Sequence, residues 1–404
     1  MPIRRRVPLP TIASLALLLA GCSAAPRGAA PTAGAPPADL YAAVIDAGSS
    51  ASRIHLFRWR PASDGGLPVV EPLAEEKVEP GLSEYAGRTD EIAAALAPLV
   101  DFAVDRIGAP PEEMARFPVH LKATGGVRLL PPDEQRAVLD AAAEYLAETP
   151  FRFEGAEVIS GRQEGIFGWL SVNYLLGFLD DGGPFPSAGA LDLGGASTQI
   201  TFVPLDAAAE ELGTVVIGPS RFPLYSVSYL SLGQDEARER LATPACFPRG
   251  YPLPGGGVGT GEYRACRETL RRGLAGPCEA ERCSLMGEYQ PPLYGEFVAF
   301  SAYRFAAAFF DLGQDLTLDR LEAEGEAYCG KEWGVIRVER ADELGNPYLP
   351  FNCFTAAYLV TLLHDGFGFP MADTPIRVPA ELLGTEVSWT LGALVWELAG
   401  ARLD

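Results

Sequence analysis

The chain has 404 residues, with 32 Lys plus Arg against 53 Asp plus Glu, a formal net charge of −21 at pH 7, three His and seven Cys. A hydrophobic share of 48% with 10% aromatic is that of a globular protein of two or three domains, which excludes wholesale disorder. So acidic a surface repels a phosphate backbone and argues against nucleic-acid binding; any anionic substrate must be met by local cations, backbone donors or a metal.

The chain opens with Arg4, Arg5 and Arg6, an apolar run from Ile12 to Ala20, and Leu19-Ala20-Gly21-Cys22. This reads as a signal peptide over residues 1–21, too short for a membrane-spanning helix. The last four residues are similar to the lipobox of bacterial lipoproteins, so Cys22 is the expected lipidation site and new N-terminus. The competing reading is an ordinary cleaved signal with an incidental Cys. Residues 22–39, rich in Pro, Ala and Gly, are the lipidated Cys and a flexible tether. The expected location is membrane-anchored and extracytoplasmic, periplasmic or at the cell surface. Ser23 is compatible with the outer membrane in a Gram-negative cell.

Residues 41–60 read as a strand, a tight turn and a second strand, followed by a turn-rich insert around Asp64-Gly65-Gly66. An amphipathic helix fits 89–107, with Pro98 kinking or splitting it. A strand over 118–124 runs into Gly125-Gly126, and a helix fits 132–148. Strand 156–160 leads through Gly161 into an apolar helix over 162–179. This alternation is that of an α/β layered domain. Residues 189–203 then repeat the opening: Val44-Ile45-Asp46-Ala47-Gly48-Ser49-Ser50 compares with Ala190-Leu191-Asp192-Leu193-Gly194-Gly195-Ala196-Ser197. A duplicated unit, its two turns facing across a cleft, explains the repeat. The Pro- and Gly-rich stretch 244–261 lacks the Lys-Ser/Thr of a P-loop and reads as a surface loop. Helices resume at 295–311, around 351–365 and at the C-terminus.

Six cysteines remain after Cys22, all in the second half of an exported chain, so disulfides are expected; 15 connectivities are open. Zinc is disfavoured because no CxxC pair or nearby His accompanies them.

Each Asp-turn places a carboxylate at a strand end and then exposes several backbone N–H groups, a cradle for phosphate. The carboxylates cannot themselves hold an anion, so their role is to hold a divalent cation, directly or through water; Ca²⁺ and Mg²⁺ suit such oxygen ligands. Arg53, Lys122 and Arg128, beside the small-residue turns, are the candidate local positive charges; the competing reading of each is a solvated surface charge. Glu164, in the first turn of a helix, either complements the helix dipole or acts as a general base activating water.

Together these segments resemble the ecto-nucleoside triphosphate diphosphohydrolases, the apyrases, in a bacterial lipoprotein form. The resemblance rests on Asp46 to Arg53, Lys122 to Arg128, Ser160 to Gly165 continuing through Trp169 and Asn173-Tyr174, and Leu191 to Phe202; Ser388 to Gly392 is a weaker fifth segment. It implies a two-lobed, actin-like (ribonuclease H-like) α/β fold with catalysis in the cleft. The lobes are expected at 40–160 and 161–385, with 386–404 returning to the first. It also implies hydrolysis of nucleoside tri- and diphosphates to the monophosphate with Ca²⁺ or Mg²⁺, and no covalent intermediate. By position, Glu164 would be the base, and Ser197 and Gln199 would place the attacking water. Asp46 and Asp192 would hold the metal through water, with Thr124, Glu164 and Trp389 nearby. The turns Gly48, Ser49, Ser50, Ala51, Ser52 and Gly194, Gly195, Ala196, Ser197, with Arg53, Lys122 and Thr124, would bind phosphates.

The resemblance further implies the pairs Cys246 with Cys266, Cys278 with Cys283 and Cys329 with Cys353. Ala51 stands where Gly is usual, tolerable unless that residue needs positive φ. Arg304 stands where the family often has an aromatic that stacks on the base, so Tyr303, Arg304 or Tyr348 would serve instead; the competing reading of Tyr303 is a core aromatic in an apolar helix. The expected partners are nucleoside tri- and diphosphates and a lipid membrane, with no nucleic acid, and a monomeric chain. The alternatives are an actin-like phosphatase of another substrate such as polyphosphate, a sugar kinase, or a non-catalytic nucleotide-binding lipoprotein. A kinase outside the cytoplasm would lack ATP, and Asp46, Glu164 and Asp192 are all present, against a silent protein.

Overall fold

The computed structural model describes residues 40–62, 66–179, 183–206 and 212–404. The leader, Cys22 and the tether lie outside these residues, as do Asp64 and Gly65 of the insert.

Five strands build the first sheet: β1 (Leu40–Ala47), β2 (Ser52–Arg60), β3 (Val69–Val78), β4 (Pro118–Ala123) and β5 (Arg152–Val158). The second contains β6 (Gly189–Leu193), β7 (Ser197–Phe202), β8 (Gly213–Ile217), β9 (Ser220–Leu230), β10 (Phe297–Ser301), β11 (Asp315–Leu316), β12 (Ile376–Arg377) and β13 (Arg402–Leu403). The first runs β3-β2-β1-β4-β5, and the second runs β11-β12-β10-β6-β7-β9-β8-β13. Within the second, β9-β7-β6-β10-β12 repeats the first in order and sense, two antiparallel pairings followed by two parallel ones. The duplication legible in two turns therefore extends to whole sheets, and the fold is two-lobed and actin-like.

The helix after β5, Gly161–Leu175, opens with a capping box in which Ser160 and Gln163 satisfy each other's backbone donors. It packs on β6, β7 and β9 of the second sheet, whereas its equivalent after β12, Trp389–Ala399, reaches β1 and β3 of the first. The two helices cross at Gly392, where an added Cβ would lie 1.9 Å from the Phe167 carbonyl oxygen. Only Gly allows that approach, and its N–H donates to Ser171 Oγ at 2.7 Å. A core of Phe167, Trp169, Leu391 and Leu394 with Ala42, Val44 and Phe57 fills the seam.

Three expectations need correction. Segment 386–404 does not stay with the first lobe: after its helix, Arg402–Leu403 pairs antiparallel with β8 at the edge of the second sheet. Residues 295–311 are not one helix but β10 followed by a helix over Ala302–Phe309. Phe297 to Phe300 are buried on both faces between β6 and β12, and such a run carries no period to separate strand from helix. Pro98 does not split its helix, which is continuous over Ile92–Ile107. The carbonyl it frees belongs to exposed Ala94, where water can satisfy it, while Leu96, Leu99 and Val100 anchor the buried face.

Three disulfides, Cys246–Cys266, Cys278–Cys283 and Cys329–Cys353, all lie in the second lobe and have the pairing the resemblance implies.

Candidate active site

Both hairpins close in the same way. Gly48 N–H donates to the Ala51 carbonyl at 3.0 Å, and Gly194 N–H donates to the Ser197 carbonyl at 3.0 Å. In the second turn the carbonyls of Gly194, Gly195 and Ala196 accept from Gln234, Asp235 and Ser231 at 2.8, 2.9 and 2.8 Å. The N–H groups of Gly195 and Ala196 donate to no backbone carbonyl among the described residues. Turning the acceptors inward leaves donors for an anion in the cleft. The turns face each other closely: a Cβ on Gly195 would meet Ser49 Oγ at 2.6 Å. Ala51 is not among the residues with positive φ, so the departure from Gly costs no backbone strain.

A cleft of about 1140 Å³ lies between the lobes, and Asp46, Thr124, Glu164, Asp192 and Trp389 all line it. Glu164 sits at its floor. Arg128 Nη2 donates to Glu164 Oε2 at 2.5 Å and to Ser197 Oγ at 2.9 Å. Gln199 Nε2 has two N–H donors and lies within hydrogen-bond distance of three acceptors, the same Glu164 oxygen at 3.0 Å, Ser197 Oγ at 2.9 Å and Ser228 Oγ at 3.0 Å. Both contacts to Glu164 fall on Oε2, so Oε1 is free to accept a proton. Ser197 Oγ accepts from Arg128, which leaves its own hydroxyl proton uncommitted.

The three carboxylates feel one another. Burial pushes Asp46 up to about 7, against Arg53 and reinforced by Glu164. Burial also pushes Asp192 up to about 7, with Glu164 and Asp46 adding to it. Glu164 is raised by burial and pulled back by Arg128. Asp46 Oδ1 is buried without a hydrogen-bond partner. Among the described residues no group of three His, Cys, Asp or Glu side chains converges to ligate a metal directly. An unpaired carboxylate oxygen in mutually repelling company fits a divalent cation held through its waters.

Of the residues expected to bind phosphate, Gly48, Ser49, Ser50, Arg53, Thr124, Gly194, Gly195, Ala196 and Ser197 line the cleft. Ala51 and Ser52 do not; both are buried, supporting the turn from behind. Lys122 is a clear correction. It is 2% exposed and paired with Glu157 at 2.6 Å and Glu397 at 2.9 Å, tying the first sheet to the C-terminal helix. Its charge is consumed there, and Arg128, in the same motif, reaches the site instead.

Tyr303 is a second correction: it is 1% exposed within the second lobe's core, because its helix turns Ala302, Phe305, Ala306 and Phe309 to the cleft. Arg304 and Tyr348 line the cleft. Phe305, overlooked in the sequence, is 65% exposed beside them, and its only signal was helical spacing from Phe309. Ser228 was also overlooked, since only the β7–β9 register places it opposite Gln199.

A two-lobed fold with duplicated turns of open N–H donors and a buried carboxylate lining the cleft between them is the architecture of a phosphoryl-transfer or phosphohydrolase class. The chain belongs to the GDA1/CD39 (nucleoside phosphatase) family, whose pattern it matches over residues 35–245 and 256–402, and it is a nucleoside phosphate hydrolase. It is 33% identical over 411 residues to probable apyrase 4 of Arabidopsis thaliana, covering 90% of this chain and 80% of that one. It is 32% identical over 412 residues to ectonucleoside triphosphate diphosphohydrolase 1 of Rattus norvegicus, covering 88% and 80%. Its fold is similar to that of a nucleoside triphosphate hydrolase from Neospora caninum, TM-score 0.63 at 17% identity, covering 90% and 93%. It is also similar to a Ppx/GppA protein from Aquifex aeolicus, TM-score 0.53 at 16% identity, covering 89% and 97%.

Proposed function

We propose that the protein removes the terminal phosphate from nucleoside triphosphates and diphosphates outside the cytoplasm, by direct attack of water, with Ca²⁺ or Mg²⁺ as cofactor. The observation that carries this reading is Glu164, anchored through one oxygen by Arg128 and Gln199, with the other free in a cleft between two donor-rich turns.

In the proposed step a water near Ser197 and Gln199 attacks the terminal phosphorus and gives its proton to Glu164 Oε1. The bond from that phosphorus to the bridging oxygen breaks in line, and the shortened nucleotide leaves with the electron pair. The open N–H groups of Ser49, Ser50, Gly195 and Ala196, with Arg53, hold the phosphate oxygens. Asp46 and Asp192 would hold the cation through its waters, with Thr124 and Trp389 beside them; when bound it neutralises charge on the phosphates. Two exposed aromatics, Phe305 and Tyr348, give the cleft an apolar wall suited to a nucleobase, which favours nucleotides over bare polyphosphate.

Among the described residues no helix is long and apolar enough to cross a membrane. The proposed anchor is acylated Cys22, testable by acyl-chain labelling of the protein and of Cys22→Ala. The decisive test of the chemistry is the product time course from ATP: ADP and then AMP, phosphate released at each step, and no turnover in EDTA. A protein that hydrolyses tripolyphosphate but neither nucleotide would sink the reading.

A further inference from the structure

Gln199 is 1% exposed, and its amide is held from one end only. Nε2 has Glu164 Oε2, Ser197 Oγ and Ser228 Oγ within 3.0 Å, whereas Oε1 is buried with no hydrogen-bond partner among the described residues. The orientation of the amide therefore rests on the acceptors around its nitrogen. Two of these belong to the proposed reaction: Glu164 takes up the proton of the attacking water and Ser197 lies beside that water, so the hydrogen bonding of both changes during the step. Ser228 is the third, and it does not line the cleft. Two elements place it. On β9 it is the register partner of Gln199 on β7. Against its other side lies Gly161, the first residue of the helix that carries Glu164, where an added Cβ would sit 2.3 Å from Ser228 Oγ. The serine is thus wedged between the strand of Gln199 and the helix of Glu164.

We infer that Ser228 is a positioning residue for the hydrolysis: its hydroxyl takes one Gln199 N–H and keeps the amide nitrogen toward Glu164 while the reacting groups change state. The inference rests on the nucleotide-hydrolase reading above. A primary amide has two hydrogens to give. With one on Glu164 Oε2 and the other on Ser228 Oγ, Ser197 Oγ keeps Arg128 as its one donor, at 2.9 Å. One lone pair and the hydroxyl proton of Ser197 then stay available to the water. Without Ser228 the second hydrogen falls to Ser197 and occupies that lone pair. The amide is then tied only to groups whose bonding the reaction alters, and its partnerless oxygen offers no replacement hold.

The test is a double-mutant cycle of Ser228→Ala and Gln199→Ala in the full chain, read by kcat and KM for ATP and by calorimetric binding of a non-hydrolysable ATP analogue. Ser228→Ala should lower kcat about three- to ten-fold, the effect of losing one neutral hydrogen bond. KM and analogue binding should stay within about two-fold of the wild type, because the serine touches no substrate. In the Gln199→Ala background the same substitution should cost less than about two-fold, since the side chain through which it acts is gone. An unchanged kcat in Ser228→Ala would overturn the inference. So would equal losses in both backgrounds, or a loss of analogue binding as large as the loss of kcat, either of which marks a purely structural role. A wild type that binds the analogue but turns over neither ATP nor ADP would sink the catalytic reading and this inference with it, whereas an active wild type with an additive cycle would sink this inference alone.

Discussion

Arg53 lies opposite Asp46 across the first hairpin, and Gln199 lies opposite Asp192 across the second, in the same register. One scaffold position thus carries a cation in one lobe and a neutral amide in the other. The lobes have diverged at this point: Arg53 has no ion-pair partner within 4 Å among the described residues, whereas Gln199 is engaged with Glu164, Ser197 and Ser228. In the proposed reaction the first half would supply charge for the phosphates, and the second would organise water and base.

This division predicts opposite kinetic signatures. Arg53→Met should raise KM for ATP about ten-fold or more, the effect of losing a charged hydrogen bond, with a smaller change in kcat. Gln199→Ala should lower kcat with KM nearly unchanged. Steady-state kinetics of both variants provides the check.

Glu164→Gln preserves shape and the contact with Arg128 but cannot accept a proton. Turnover should fall by at least ~10²-fold while nucleotide binding persists. Unchanged turnover would falsify the role of Glu164.

Arg128 opposes the effect of burial on Glu164. Removing it in Arg128→Met should raise the pKa of Glu164 further, so the base stays protonated to higher pH. The acid limb of the kcat profile should then move upward in pH, which a purely structural loss would not produce.

Asp46 and Asp192 are raised in the folded state to about 7 from an ordinary value of 3.8. Below about 4 both folded and unfolded chains keep these protons. Between about 4 and 7 the unfolded chain releases them first, so the cation-free fold loses stability as pH rises through that window. A divalent cation relieves the repulsion only where the carboxylates can ionise. Ca²⁺ should therefore raise Tm more at pH 8 than at pH 5, as read by scanning calorimetry against EDTA; an equal gain would contradict the cation site.

The disulfides should differ in weight. Cys246–Cys266 and Cys329–Cys353 are fully buried and close separations of 20 and 24 residues, whereas Cys278–Cys283 joins an exposed to a half-buried cysteine and spans 5. Replacing either buried pair with Ala should cost about 3 kcal/mol, and replacing the short one clearly less. Urea unfolding of the three double variants measures this.

The chemistry-bearing segments were legible in the chain because each is local: an apolar strand, an Asp, a small-residue turn and a returning strand lie within a dozen residues. Their repetition was enough to expect two lobes and a cleft, whereas the helix start that Glu164 occupies fits a dipole-complementing carboxylate equally well, and only the family resemblance singled it out as a candidate base. Which cation serves the site was not legible. Lys122 and Arg128 share one motif, yet Lys122 stands on a buried face where an uncompensated charge is costly, and Glu157 and Glu397 claim it. Glu397 is 275 residues away in sequence, so only the crossing of the C-terminal helix over the first sheet decided that pairing. The same holds for the base wall. The chain offered Tyr303, Arg304 and Phe305 as neighbours, and the packing of one helix on the second core buried the first, paired the second and left the third facing the cleft.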